Sequence, residues 1–157
     1  MELTPQQQRF IDDFASLWER FSANATQGRV IALLYIADVP ELTAADIAAT
    51  LGISRGSVSQ VTRQLIQMRF IQRVSHPGDR RDWFRVAANP FGQAARSERA
   101  EIGTFLDLFR RGLAIHDSSP PERRHALVNS IQFLEDYDAA LGDFLENWQP
   151  RIESEPS

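Results

Sequence analysis

The stretch that decides the fold is Ile47–Leu65, IAATLGISRGSVSQVTRQL. Gly52 stands where two short helices must turn, and Ala48 is the small residue that lets them approach closely. Ile47, Leu51, Ile53, Val58, Val61 and Leu65 recur at the spacing of an apolar face. Ser54 occupies the position from which a side-chain oxygen caps a following helix, from Arg55 to about Arg69. The pattern predicts a helix-turn-helix. With the apolar positions turned inward, the second helix presents Arg55, Gly56, Ser57, Ser59, Gln60, Arg63 and Gln64, headed by the Ser54 cap. An ordinary solvated face mixes acids with bases, and this one has no acid at all. Its chemistry suits DNA: Arg pairs with guanine, Gln with adenine, and Ser with bases or phosphates.

The charge distribution points the same way. Residues 1–50 contain three Arg and seven acids, net −4; residues 51–90 contain seven Arg and two acids, net +5. Residues 91–157 contain seven Arg and twelve acids, net −5, so the chain as a whole is −4. A basic block between acidic ones predicts an anionic partner at that block, nucleic acid first. At 157 residues with 43% hydrophobic content the chain is sized for one globular domain.

Working outward, Thr4-Pro5 starts a helix whose Phe10, Ile11, Phe14, Leu17, Trp18 and Phe21 form an apolar stripe. Asn24–Gly28 reads as a break, after which Arg29–Ala37 is apolar on nearly all sides, a buried central helix. Thr43-Ala44-Ala45-Asp46 has the form of a capping box for the short helix ending at Leu51. Residues 70–74 and 83–86 alternate with period two and read as a hairpin around His76-Pro77-Gly78-Asp79-Arg80-Arg81-Asp82. Arg80 and Arg81 at that tip suit phosphate contact or entry into a narrow minor groove, with Asp79 or Asp82 holding one of them in place. His76 receives no role. Two long helical segments follow, about 90–116 and 121–149. In the second, Leu127, Ile131, Leu134, Leu141, Leu145 and Trp148 keep a 3–4 spacing that Asp138 interrupts, which predicts a general helix-packing face. The tail 150–157 reads as disordered. The expected class is mainly α with a small β-hairpin wing: a winged helix-turn-helix at 27–89, flanked by helices at 4–24 and 90–149.

Several functions are excluded by what the chain lacks. There is no cysteine, hence no disulfide, thiolate zinc site or cysteine nucleophile. His76, His116 and His125 lie apart without metal-ligand spacing, and no phosphate loop or Gly-x-Ser-x-Gly elbow occurs. His116, Asp117, Glu122 and His125 straddle an interhelical turn, where polar residues are expected anyway. The expectation is no enzyme, no cofactor and no metal. No apolar run approaches the ~20 residues of a membrane span, and the start MELTPQQQRF lacks the features of a signal peptide, so a cytoplasmic protein is expected. The competing non-enzymatic reading is a winged helix used as a protein-interaction module. That use calls for an apolar or acid-bearing recognition face, and this face is neither.

From Gly28 to about residue 92 the sequence resembles the DNA-binding core of MarR-type regulators, in particular their GbsR-like branch. The resemblance rests on Gly28-Arg29, on Ser54-Arg55-Gly56-Ser57, and on Pro77-Gly78-Asp79-Arg80-Arg81-Asp82 followed by two aromatics. It departs after the wing, where Asn89-Pro90 replaces the common Leu-Thr, an equally competent helix start. The resemblance implies a homodimeric transcriptional regulator, often a repressor, whose terminal helices dimerise. It also implies a small-molecule effector held between dimerisation helices and DNA-binding domain. Phe14, Trp18, Phe21 and Tyr35 are the candidates for lining such a pocket, where aromatic faces suit a choline-like cation; plain core packing is the competing reading of each.

Overall fold

The computed structural model describes residues 1–22, 24–116 and 120–148. The expected turn at Asp117–Ser119 and the expected disordered tail lie outside them. Six helices and three short strands run in the order α1 (Pro5–Ser22), α2 (Ala25–Ile36), β1 (Leu42–Thr43), α3 (Ala44–Leu51), α4 (Arg55–Gln67), β2 (Ile71–Val74), β3 (Trp83–Val86), α5 (Pro90–Ile115) and α6 (Pro121–Asn147). The chain is mostly helical with a small antiparallel sheet, as expected of a winged helix. It divides into two compact units, Met1–Phe91 and Gly92–Ser157. The first is larger than the expected 27–89 because α1 packs along α2.

Each helix of the first unit starts on a side-chain cap. At α1, Thr4 Oγ1 accepts from the Gln7 N–H, and Gln7 Oε1 accepts from the Thr4 N–H. At α3, Thr43 and Asp46 exchange the same two bonds, and the Thr43 hydroxyl and backbone N–H, both donating to the Asp46 carboxylate, hold it below its ordinary range. At α4, Ser54 Oγ accepts from the Ser57 N–H at 3.0 Å. The reading of Asn24–Gly28 as a break is corrected. Asn24 caps α2 by accepting from the Gln27 N–H, and Ala25–Gly28 is the helix's first turn. Gly28 sits inside it because α1 passes so close: a Cβ there would lie 2.7 Å from Ala15 Cα and 2.8 Å from Trp18 Cβ.

The core forms around α2, whose Val30, Ile31, Ala32 and Leu33 are fully buried. It packs on α1, α3, α4 and β3, and Ile11, Ile47, Val58, Leu65 and Ile71 complete the interior. Gly52 takes the left-handed conformation at φ 65, and the Ile53 N–H closes on Ala48 O, giving the helix-turn-helix its turn. Arg29 reaches across from α2 to the Leu51 carbonyl, where its charge meets the negative end of α3. The sheet has the order β1-β3-β2, with Leu42 opposite Phe84 and Val74 opposite Trp83. The hairpin was expected; β1 was not. Helix α4 ends two residues short of expectation because Arg69 turns left-handed (φ 60). The Phe70 N–H then bonds to Leu65 O and the Arg69 N–H to Ile66 O, a Schellman closure that leads straight into β2.

In the second unit Leu127, Ile131, Leu134, Leu141 and Leu145 are buried or half-buried, as their spacing predicted, whereas Trp148 is exposed. Asp138, the interruption, pairs with Arg99 of α5 at 3.0 Å, and the Arg99 guanidinium lies over Gly142. Arg110–Glu135 (2.7 Å) and Tyr137–Glu98 (2.9 Å) tie the same two helices. None of the described helices is long and apolar enough to cross a membrane.

The approach at Gly28 yields a prediction. Gly28→Ala should destabilise the protein by about 1–3 kcal/mol, because backbone on α1 blocks the added methyl, although alanine is the better helix former. A denaturant midpoint that stays put or rises would disprove the contact.

Candidate nucleic-acid interface

The helix-turn-helix delivers the expected face. On α4, Val58, Val61, Thr62 and Leu65 are buried, while Arg55, Gly56, Ser59, Gln60 and Arg63 are exposed and Ser57 and Gln64 half-buried. Thr62 tolerates burial because its hydroxyl donates to Val58 O at 2.9 Å. Ser54 and Ser57 are coupled through their hydroxyls (2.9 Å) as well as through the cap. Arg63 Nε donates to Ser59 O of its own helix, which leaves the rest of its guanidinium facing outward. Arg55 has no ion pair among the described residues. The side chains brought together are donors and small hydroxyls around a helix N-terminus, a surface that attracts anions.

The wing separates its two arginines. Asp79 accepts from the Arg81 backbone N–H (2.9 Å), from Arg81 Nε and Nη2 (2.9 and 2.7 Å on Oδ2), and from the Trp83 indole N–H (3.0 Å). The Arg81 guanidinium also lies 4.9 Å above the Trp83 ring. These bonds, led by that from the Arg81 side chain, hold the Asp79 carboxyl far below the ordinary carboxylate range. Asp82 faces Arg73 at 3.5 Å instead. Arg80 has no ion pair among the described residues, whereas Arg81 is fixed to the wing. His76, given no role from the sequence, contacts Glu41 at 2.6 Å and meets the Trp83 ring edge-on. Glu41 lies just before β1 and is also 3.6 Å from Arg85. Glu41 is not legible in the sequence because its partners His76 and Arg85 are distant along the chain, and Trp83 reads there only as a strand residue although Asp79 and Arg81 lie close by.

Three of the four expected pocket residues come together. Phe14, Trp18 and Phe21 of α1 line an apolar cleft of about 340 Å³ with Leu17 and Ser22. The opposite wall is Met68 and Phe70 at the end of α4, together with Phe91. Tyr35 does not line it, although its ring lies 6.1 Å from Phe14. Trp18 stacks on Phe14 and meets Phe70 edge-on at 4.7 Å. Among the described residues Ser22 is the one polar lining residue, and none of the lining side chains is charged.

Comparison with known proteins fits this geometry. Residues 26–82, spanning α2 to the wing tip, match the MarR family. Over 151 residues the chain is 28% identical to the HTH-type transcriptional regulator MmpR5 of Mycobacterium tuberculosis, covering 96% of this chain and 92% of MmpR5. A crystal structure of a transcriptional regulator superposes on it with a TM-score of 0.76 at 28% identity, covering 90% of this chain and 97% of that one. The residues that match the family model thus lie within a likeness that extends over α5 and α6 as well. Among the described residues no three His, Asp or Glu side chains are grouped to hold a metal ion.

The Asp79 arrangement sets a pH dependence. A carboxyl lowered in the native state supports wing order at and above the ordinary carboxylate range, and that support is lost only as pH falls through the lowered native value. The Trp83 indole N–H resonance should therefore stay constant from pH 7 through the normal aspartate range and shift only below it. A midpoint near the model-peptide aspartate value would refute the pairing, and Asp79→Asn should shift that resonance at neutral pH.

Proposed function

We propose that this chain is a transcriptional regulator, acting as a repressor, that binds double-stranded DNA sequence-specifically as a homodimer. The observation that carries the reading is the outward face of α4: capped at Ser54, free of acids, and built from Arg55, Ser57, Ser59, Gln60, Arg63 and Gln64. In the dimer two copies of this face enter successive major grooves of a pseudo-palindromic operator, about 10 bp apart or a multiple of that. Arg80 contacts flanking backbone or minor groove, and Arg81 shapes the wing that carries it.

Dimerisation is assigned to the helices of 4–24 and 90–149. Its support is the apolar surface they expose, including Phe105, Leu108, Ile115, Phe133 and Phe144, more than an isolated surface needs to leave in water. The effector is assigned to the cleft beneath Trp18. Among the described residues its lining is uncharged, which favours a small molecule with an apolar body; a choline-like cation would find aromatic faces there but no carboxylate among those residues. The motifs at Gly28-Arg29, Ser54–Ser57 and Pro77–Asp82 support the GbsR-like branch, and work on DNA sets its place in the cytoplasm.

Selection of binding sites from random duplexes by the purified protein tests the proposal. An inverted repeat should be enriched; no enrichment at moderate salt would sink the regulator reading in favour of an interaction module. Arg55→Ala or Gln60→Ala should relax preference at particular base pairs by roughly 1–3 kcal/mol each. Arg80→Ala should weaken binding uniformly and reduce the salt slope by about 1. Sedimentation should give a dimer, and a clean monomer at micromolar concentration would remove the role of the terminal helices.

A further inference from the structure

A chain of three side chains runs from the cleft to the outward face of α4. The Trp18 indole Nε1 donates to Gln27 Oε1 at 3.2 Å, and Gln27 Nε2 donates to Gln64 Oε1 at 3.0 Å. Gln27 is 6% exposed and Trp18 is 8% exposed, so neither has water as a ready alternative partner. Glutamine is seldom buried in this way, and here the burial has a directional consequence. An indole nitrogen only donates. It therefore demands the oxygen of the Gln27 amide, which turns the Gln27 NH2 toward α4. That NH2 in turn demands the oxygen of Gln64. The bond turns the oxygen of the half-buried Gln64 toward Gln27 and its NH2 away from it, toward any outside partner.

We infer that Gln27 is a positioning residue that sets the orientation of the Gln64 amide, so that Gln64 meets DNA with its NH2 foremost and its oxygen turned back toward Gln27. Gln64 then engages an acceptor, either a phosphate oxygen or the adjacent O6 and N7 acceptors of guanine. It does not pair with adenine, which requires amide oxygen and nitrogen side by side on the same edge. This rests on the DNA-binding reading above and sharpens it at one residue. The fixed element is remote from DNA: the orientation is set by a tryptophan on α1, two residues away along the hydrogen-bond chain.

Two measurements test it. The first needs no DNA. In amide NMR of the full-length protein, the Gln27 side-chain NH2 should exchange slowly with solvent, and Trp18→Phe, which removes the indole N–H but keeps a ring, should release it. Rapid exchange in the wild type, or protection unchanged in Trp18→Phe, overturns the inference. The second is site selection from random duplexes with wild type, Trp18→Phe, Gln27→Met and Gln64→Ala. The base pair whose preference Gln64→Ala relaxes should not be an adenine contact in the wild type. If Gln64 contacts phosphate, Gln64→Ala should lower affinity for all duplexes alike.

Trp18→Phe and Gln27→Met free the amide to turn over. For a base contact they should both lower discrimination at that pair, by about ten-fold, with adenine newly admitted. For a phosphate contact they should admit an adenine preference that the wild type lacks. Base preferences identical to wild type in both variants overturn the inference, and so does an adenine preference in wild type that Gln64→Ala abolishes. A wild type that selects no sequence defeats the regulator reading instead, while the exchange measurement still decides the orientation of the chain.

Discussion

Helices α1 and α2 cross at a separation that excludes a single methyl group, with Gly28 against Ala15 and Trp18. That approach places the Trp18 ring over the start of α2, where its nitrogen meets Gln27 and its edge meets Phe70. Gln27 then reaches α4, and Phe70 anchors the turn between α4 and the wing. The placement of Gln64 on α4 thus depends on a backbone contact on the far side of α2. Interiors packed to this density transmit strain, and Trp18 and Gln27 join α1, α2 and α4 in one continuous set of contacts.

The polar surface follows a common logic: fixing some side chains leaves defined ones free. Ser54 spends its oxygen on capping α4, which fixes where Arg55 and Ser57 begin. Asp79 takes up Arg81 and the Trp83 indole, which stiffens the wing and leaves Arg80 at its tip. A wing built only of unpaired arginines would carry more charge but less shape, and ordering it on binding would cost side-chain entropy. One internal acid gives up a charge in return for preorganisation.

Much of this was legible in the sequence, and the exceptions share a cause. The helix-turn-helix could be read because Gly52, Ser54 and the apolar spacing of Val58, Val61 and Leu65 are local signals that agree with the packing. Asp138 could be located as a break in the α6 stripe, but not its partner Arg99, 39 residues away. β1 has two residues, too few for a period, and exists only through its pairing with Trp83 and Phe84. The start of α2 was misread because Gly28 looks like a breaker, and only the passage of α1 explains it. Of the cleft, the α1 residues Phe14, Trp18 and Phe21 showed as a stripe, whereas Met68, Phe70 and Phe91 arrive from segments that nothing local connects to it.

The Schellman closure at Arg69 leaves no slack between the last turn of α4 and the first residue of β2. Met68 and Phe70 flank that closure and also wall the cleft. The end of the helix and the wall of the cleft are the same few residues. Thermodynamic reciprocity then applies without further machinery. Any molecule whose fit in the cleft depends on where α4 sits alters the affinity of α4 for its own partner. That partner, once bound, alters the fit of the molecule by the same factor.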